Sequence, residues 1–142
     1  MIYSTIGYYS LIFGLIISFP IFFFSIRNFK NQELLDNKII SFSFIQLFLV
    51  VLSFLGLIFS FIYSDFSNET VFNNSHTTKP LFYKISGTWG NHEGSLLLWL
   101  LVLTLFIFLF LIKSREQPKK YRIITLLFQQ VIIIGFFLFV LI

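Results

Sequence analysis

One short stretch, residues 88–95, carries the side chains of this sequence that could do chemistry at a membrane surface. It reads Thr-Trp-Gly-Asn-His-Glu-Gly-Ser, so a tryptophan, a histidine, a carboxylate and two glycines are close neighbours, and an apolar run follows directly. A lone histidine near a helix start is more often a hydrogen-bonded structural group than a ligand. However, a histidine and a carboxylate at a membrane boundary are costly unless they are paired or used. This density favours a functional site, although the spacing does not name its chemistry.

A candidate transmembrane helix positions these side chains. Apolar residues begin at Ser95 and continue for about 18 residues, which is the length of a membrane span. His92 and Trp99 are seven residues apart and share one face of that helix. Ser95 or Leu96 lies between them on the same face. Glu93 suits the N-terminal end of a helix and points about 100° away from His92, so the two are not a stacked pair.

The tryptophans and glycines of this region also have structural explanations. Tryptophan is an expected anchor at a bilayer interface, and Trp89 and Trp99 need no further function to be there. Glycines let the backbone turn sharply and pack closely ahead of a helix. The glycines concerned are Gly87, Gly90 and Gly94.

The motif resembles the signature of the CcmF family, the heme lyase component of the cytochrome c maturation system. The matching residues are Thr88-Trp89-Gly90, His92-Glu93-Gly94-Ser95 and Leu96-Leu97-Leu98-Trp99. Similar segments flank them: Asp65-Phe66-Ser67, Val71, Asn73-Asn74-Ser75, Pro80-Leu81-Phe82-Tyr83-Lys84 and Gly135-Phe136-Phe137-Leu138-Phe139. Family members are several-fold longer and carry a tryptophan-rich heme-handling segment ending in Trp-Asp, which this chain lacks. The resemblance therefore covers most of the chain but only the N-terminal part of a family member, as expected for one piece of a split gene.

The resemblance implies a role in covalent attachment of heme to apocytochrome c. Heme would be the substrate of a thioether-forming assembly, and we expect this chain alone to bind no heme and to be inactive. The implied partners are the remaining CcmF-like chain with its tryptophan-rich segment, a heme chaperone and apocytochrome c. The implied heme-handling residues are Trp89, Gly90, His92, Glu93, Gly94, Ser95 and Trp99. No catalytic residue is assigned.

The composition predicts an integral membrane protein. Of 142 residues, 57% are hydrophobic and 11% are charged, against roughly 25% charged residues in a soluble domain. The absence of cysteine excludes disulfides and thiolate metal sites, and we predict no metal site. The net charge of +4 indicates membrane topology rather than nucleic-acid binding. The lack of alanine beside abundant Phe, Ile and Leu suggests an AT-rich genome, and hence a mitochondrial inner membrane, or an AT-rich bacterium.

The hydrophobic runs predict an all-α protein with a single membrane domain, 1–142, of about four transmembrane helices. The spans lie at about 3–26, 39–63, 95–112 and 123–142, and a long outer loop occupies 64–94. Within the spans, Pro20 should kink the first helix, Gln46 should form an interhelical hydrogen bond, and Gln129 and Gln130 should face protein rather than lipid. In the outer loop, His76 should be solvated.

Basic residues predict the orientation of these spans. Lysines and arginines are concentrated in the short loops 27–38 and 113–122 and are fewer in the middle loop. The short loops should therefore face the cytoplasm or matrix. The motif would then face the periplasm or intermembrane space.

Two other functions are compatible with four apolar helices. A small structural subunit of a respiratory membrane complex would retain the motif for packing alone. A transporter or channel is disfavoured because no span carries a charged residue at its centre. Co-purifying chains distinguish the first alternative from a role in heme attachment.

Overall fold

The structure is a computed structural model and describes residues 1–31 and 36–142. Within these ranges the chain is helical and contains no strand, which confirms the all-α prediction. The helices are α1 (Ile2–Asn31), α2 (Asp36–Ile62), α3 (Glu69–Asn74), α4 (Leu81–Gly87), α5 (His92–Lys113) and α6 (Lys119–Leu141). Four of them, α1, α2, α5 and α6, are long and apolar enough to cross a membrane.

The four long helices pack as a closed ring in which α1 contacts α2, α2 contacts α5, α5 contacts α6 and α6 returns to α1. Contacts such as Phe24 with Phe42 and Phe44 with Phe108 show that neighbouring helices are antiparallel. Aliphatic and aromatic side chains from all four helices fill the centre, among them Ile21, Val50, Leu100, Ile107, Ile133 and Phe137. The core therefore lies between the helices, and large apolar side chains also cover the outside of the bundle.

Small residues allow α1 and α2 to approach closely near one end of the bundle. A Cβ atom placed on Gly56 would lie 2.8 Å from the carbonyl oxygen of Tyr3 and 3.2 Å from the Cα of Gly7. Both distances are shorter than a normal contact, so only glycine fits at position 56 in this arrangement. Helices in membranes commonly associate through small residues in this way, because packing replaces the hydrophobic driving force.

A buried polar layer joins α1, α2 and α6. The Gln46 Nε2 atom donates to Ser18 Oγ at 2.6 Å and to Gln130 Oε1 at 3.2 Å. Gln130 Nε2 donates in return to Gln46 Oε1 at 3.3 Å. All three side chains are fully buried. The predicted interhelical hydrogen bond of Gln46 is confirmed, and Gln130 faces protein as expected, while Gln129 is half-buried.

The helices extend beyond the predicted apolar spans. The helix α1 continues through Pro20 to Asn31, so it includes part of the predicted loop 27–38, whose residues 32–35 lie outside the described residues. Within the predicted loop 64–94, α3 and α4 are short helices. The difference arises because polar residues can continue a helix past the end of its apolar run.

Arg122 departs from its expected place in a basic loop. It lies in the first turn of α6 and is only 2% exposed. Its Nε donates to Ser114 Oγ at 3.1 Å, and one of its terminal nitrogens donates to the Leu111 carbonyl oxygen at 2.9 Å. Cationic side chains stabilise the last carbonyl groups of a helix. Arg122 therefore closes the connection between α5 and α6 instead of acting as a free surface charge.

Candidate functional site

Asn91 fixes the start of α5, and hence the position of His92 and Glu93. Its Oδ1 accepts from the Gly94 backbone N–H at 2.7 Å, which is the bond expected of a helix N-cap residue. Its Nδ2 donates to the carbonyl oxygens of Gly87 and Thr88 at 2.9 and 3.2 Å. One side chain therefore ties the end of α4 to the beginning of α5. The helix starts at His92 rather than at Ser95, where the apolar run begins.

Gly94 packs directly against the preceding backbone. A Cβ atom at this position would collide with the carbonyl oxygen of Thr88 and would lie 3.1 Å from Asn91 Oδ1. Gly87 and Gly90 are less constrained, because their nearest Cβ contacts would be ordinary ones of 3.5 to 3.6 Å. No glycine among the described residues has a positive φ. Close packing at Gly94, rather than a left-handed turn, explains the need for glycine here.

Trp89 packs against α2. Its ring stacks on Phe54 with a centroid separation of 6.5 Å and an interplanar angle of 25°. The residue is nevertheless 42% exposed. Just before it, Thr88 is fully buried, and its Oγ1 has no hydrogen-bond partner among the described residues. The connection from α4 to α5 thus combines a buried polar residue with a half-exposed aromatic ring.

His92 and Glu93 are both exposed at the N-terminal end of α5. Neither side chain makes a hydrogen bond within the described part of the chain. Instead, the backbone of His92 is engaged: its carbonyl oxygen accepts a hydrogen bond from Ser95 Oγ at 2.9 Å. The two side chains are therefore available to a ligand or to another chain, and they are not paired with each other.

One face of α5 remains uncovered by this chain. His92, Trp99 and Phe106 follow one another at intervals of seven residues, and all three are exposed, with Trp99 at 59%. The opposite face, which includes Leu97 and Leu100, is buried in the bundle. The motif residues His92 and Trp99 thus share an outward face that is open to lipid or to a partner helix.

Glu93 lies at the edge of a small cavity of about 190 Å³. The polar residues around it come from α1, α2 and the start of α3 with its N-cap: Ser4, Tyr8, Ser53, Asn68 and Thr70. This volume is below the roughly 300–1,000 Å³ of typical ligand pockets. Any larger ligand of the motif would therefore have to be enclosed with the help of another chain.

The described residues contain no group of three or more His, Asp or Glu side chains that could hold a metal ion. His76 is exposed in the connection between α3 and α4, away from His92 in the chain. The titratable residues of the motif are thus limited to the neighbours His92 and Glu93.

Asn91 and the backbone of Thr88 are structural parts of the site that were not predicted from the sequence. Asparagine is a preferred N-cap residue, so the role of Asn91 at the start of α5 was predictable from its residue type. The stacking of Trp89 on Phe54 had no such signal, because the two residues are far apart in the sequence.

Comparison with known proteins relates the chain to cytochrome c-type biogenesis proteins. The CycK protein of Rhizobium meliloti is 47% identical over 93 residues, which are 66% of this chain and 14% of that protein. The CycK protein of Bradyrhizobium diazoefficiens is 45% identical over 97 residues, 68% of this chain and 15% of that protein. The CcmF protein of Haemophilus influenzae is 40% identical over 90 residues, 63% of this chain and 14% of that protein.

The chain spans only about 14–15% of the length of these relatives. No protein-family model matches it, and no solved structure matches it. The relative from Haemophilus influenzae nevertheless carries the name of the family that the motif at 88–99 resembles. The predicted resemblance is confirmed: over a small part of their length, the cytochrome c-type biogenesis proteins of the CcmF and CycK type are related in sequence to this chain.

Proposed function

We propose that this chain acts in cytochrome c biogenesis as the N-terminal piece of a CcmF-like heme lyase. The observation that carries this proposal is the 47% identity over 93 residues to a cytochrome c-type biogenesis protein. The remaining CcmF-like chain, with its tryptophan-rich segment, would be the partner of this chain in the assembly. Heme would be the substrate of that assembly, joined through thioether bonds to apocytochrome c.

The motif would shape the entrance of the heme-handling site. Asn91 and Gly94 hold the start of α5 rigidly, and His92 and Glu93 project from it into the surroundings. Trp99 lies on the same open face as His92. A rigid scaffold with unpaired side chains suits contact with heme or with the completing chain, because positioning of reacting groups dominates such chemistry.

The open face of α5 would receive the completing chain. Its exposed apolar residues, Trp99 and Phe106, continue below His92 into the membrane-spanning part. A helix of the partner would cover this face. The two chains together would then enclose a space large enough for heme, which the small cavity beside Glu93 is not. A heme chaperone and apocytochrome c would then approach from the side of the motif.

The motif would face the periplasm or the intermembrane space, as the distribution of basic residues favours. The relatives named above are bacterial, so a mitochondrial inner membrane remains a prediction from the AT-rich composition.

Co-purification tests the proposed function directly. The chain, tagged at a terminus and extracted from its own membrane, should bring down a polypeptide with a tryptophan-rich Trp-Asp segment and a heme chaperone. Recovery of respiratory-complex subunits instead, with neither of those partners, would contradict the proposal and support a structural subunit.

A further inference from the structure

A cavity of about 620 Å³ lies between the C-terminal end of α1 and the N-terminal end of α6, far along the bundle from the motif. It is lined by Asn28, Phe29, Pro118, Lys119, Lys120 and Ile123. The proposed role in heme attachment makes no use of this cavity.

Asn28, which lines the cavity, has a buried and unsatisfied donor. The residue is only 4% exposed, and its Nδ2 atom has no hydrogen-bond partner within the described ranges 1–31 and 36–142. Leaving a buried donor unpaired has a free-energy cost. An acceptor atom supplied by a ligand in the cavity would remove this cost.

The start of α6 adds positive charge on the other side of the cavity. Pro118, the N-cap residue, makes no side-chain hydrogen bond to the first turn. The first N–H groups of a helix lack partners within it, and they carry a partial positive charge. Lys119 and Lys120 are exposed beside them. Donors and cations without a carboxylate in the lining suit an anion such as a phosphate group.

An apolar groove lies next to this cavity, along the same pair of helices. The groove has a volume of about 350 Å³ and is lined only by apolar residues: Phe22, Ile26, Phe29, Ile124, Leu127, Phe128 and Val131. Phe29 lines both the cavity and the groove. A cationic pocket at the helix ends thus lies next to an apolar groove that extends towards the middle of the spans, with Phe29 as their shared wall.

We propose that the seam between α1 and α6 binds an anionic phospholipid. Its phosphate would accept a hydrogen bond from Asn28 Nδ2 and interact with Lys119, Lys120 and the N-terminus of α6. One acyl chain would lie in the groove beside Phe29 and Val131. A free phosphate ion would satisfy the donors but would leave the apolar groove unused. The apolar groove directly beside the cationic cavity therefore favours a lipid as the source of the phosphate, and basic pockets between membrane helices bind acidic headgroups elsewhere.

Native mass spectrometry of the full chain in mild detergent tests this site. Titration with dioleoyl phosphatidylglycerol should show one tightly retained lipid, and dioleoyl phosphatidylcholine should be retained more weakly. The double variant Lys119→Gln/Lys120→Gln should bind phosphatidylglycerol more weakly by about fivefold for each lysine. Asn28→Leu, which keeps the volume and removes the donor, should also weaken it.

The matched control is Lys113→Gln/Arg115→Gln, which removes the same charge near the same end of the bundle but outside the cavity lining. Equal loss in both double variants would show general attraction to a basic surface and would overturn the proposal. If inorganic phosphate stabilised the protein against unfolding as much as the lipid does, the site would be assigned to a free anion. That result would also overturn the proposal. Should the lysine variant fail to fold, Val131→Trp fills the groove from its exposed side and leaves every charge in place. Unchanged lipid retention in a folded Val131→Trp protein would contradict the predicted acyl-chain position.

Discussion

The carbonyl oxygen of Thr88 lies directly over the Cα of Gly94, where a side chain of any size would collide with it. Asn91 bridges the two segments: its Nδ2 donates to the Thr88 carbonyl oxygen, and its Oδ1 accepts from the Gly94 backbone N–H. Backbone packing and one side-chain cap therefore fix the direction in which His92 and Glu93 leave the start of α5. The geometry of the motif depends on these contacts before any ligand is considered.

Replacing Gly94 with alanine should destabilise the protein, because the backbone at Thr88 would have to move. Overpacking of this kind typically costs about 1–3 kcal/mol. The measurement is the thermal unfolding of the purified protein in detergent. Gly90→Ala is the matched control, since its Cβ would meet only ordinary contacts from 3.5 Å. Equal stability of the two alanine variants would contradict the close packing of Thr88 on Gly94.

Replacing Asn91 with alanine should loosen the start of α5 by removal of its N-cap. The expected loss is about 1 kcal/mol of unfolding free energy. Asn91→Asp keeps the oxygen that accepts from Gly94 but loses both bonds donated by Nδ2, so its loss should be smaller than that of alanine. Hydrogen exchange of the first turn of α5 would localise the effect. Asn73→Ala, at an exposed position of α3, serves as the control and should leave that turn unchanged.

The hydrophobic runs predicted the number and class of the long helices, since length and apolarity alone decide whether a helix can span a membrane. The same runs could not give the helix ends. Polar residues such as His92 at one helix and Lys119 at another continue the helix beyond its apolar part. The helix N-cap at Asn91 shows that local capping, and not hydropathy, sets the start of α5.

Long-range contacts also could not be predicted from the sequence. The polar character of Gln46 indicated an interhelical hydrogen bond, but its partners, Ser18 and Gln130, depend on how three helices pack. Arg122 looked like one of several loop cations and is instead buried against the end of α5. The charge pattern predicts that a loop is basic, whereas the burial of one of its basic side chains depends on the tertiary structure.

Replacing Gln46 with leucine should destabilise the bundle, because Gln130 would keep a buried amide without its partner. The expected loss is about 1–3 kcal/mol for the unsatisfied group. The double variant Gln46→Leu/Gln130→Leu should recover part of this loss, since both polar groups are then removed together. Gln129→Leu, at a half-buried position, is the control. Additive losses for Gln46 and Gln130 in thermal unfolding would contradict the hydrogen bonds between them.

The orientation predicted from the basic residues can be tested by single cysteines, since the natural chain has none. Thr77→Cys and Glu116→Cys place an exposed thiol in the middle connection and in the α5–α6 connection, respectively. A membrane-impermeant maleimide added to right-side-out vesicles should label position 77 and should reach position 116 only after lysis. The reverse pattern would place the motif on the cytoplasmic or matrix side and would remove the basis for its role in heme attachment.

The exposed residues of the motif provide the sharpest test of its proposed function. His92→Gln and Trp89→Phe should leave the chain inserted at normal abundance, because the His92 side chain is exposed and makes no hydrogen bond in the described chain, and phenylalanine retains an aromatic ring over Phe54. Surface-like changes of this kind usually alter stability by no more than about 0.5 kcal/mol.

Holocytochrome c, measured by covalent heme staining, should nevertheless fall in both variants. A displacement of about 1 Å at a reacting centre can lower a rate roughly a hundredfold, so a small change in the shape of the entrance is sufficient. His76→Gln changes the only other histidine of the sequence, which is exposed between α3 and α4, and should have no effect. Normal cytochrome c maturation in the His92 and Trp89 variants, at unchanged abundance, would refute the heme-handling role. The motif would then serve only to cap α5 and to anchor it at the membrane interface.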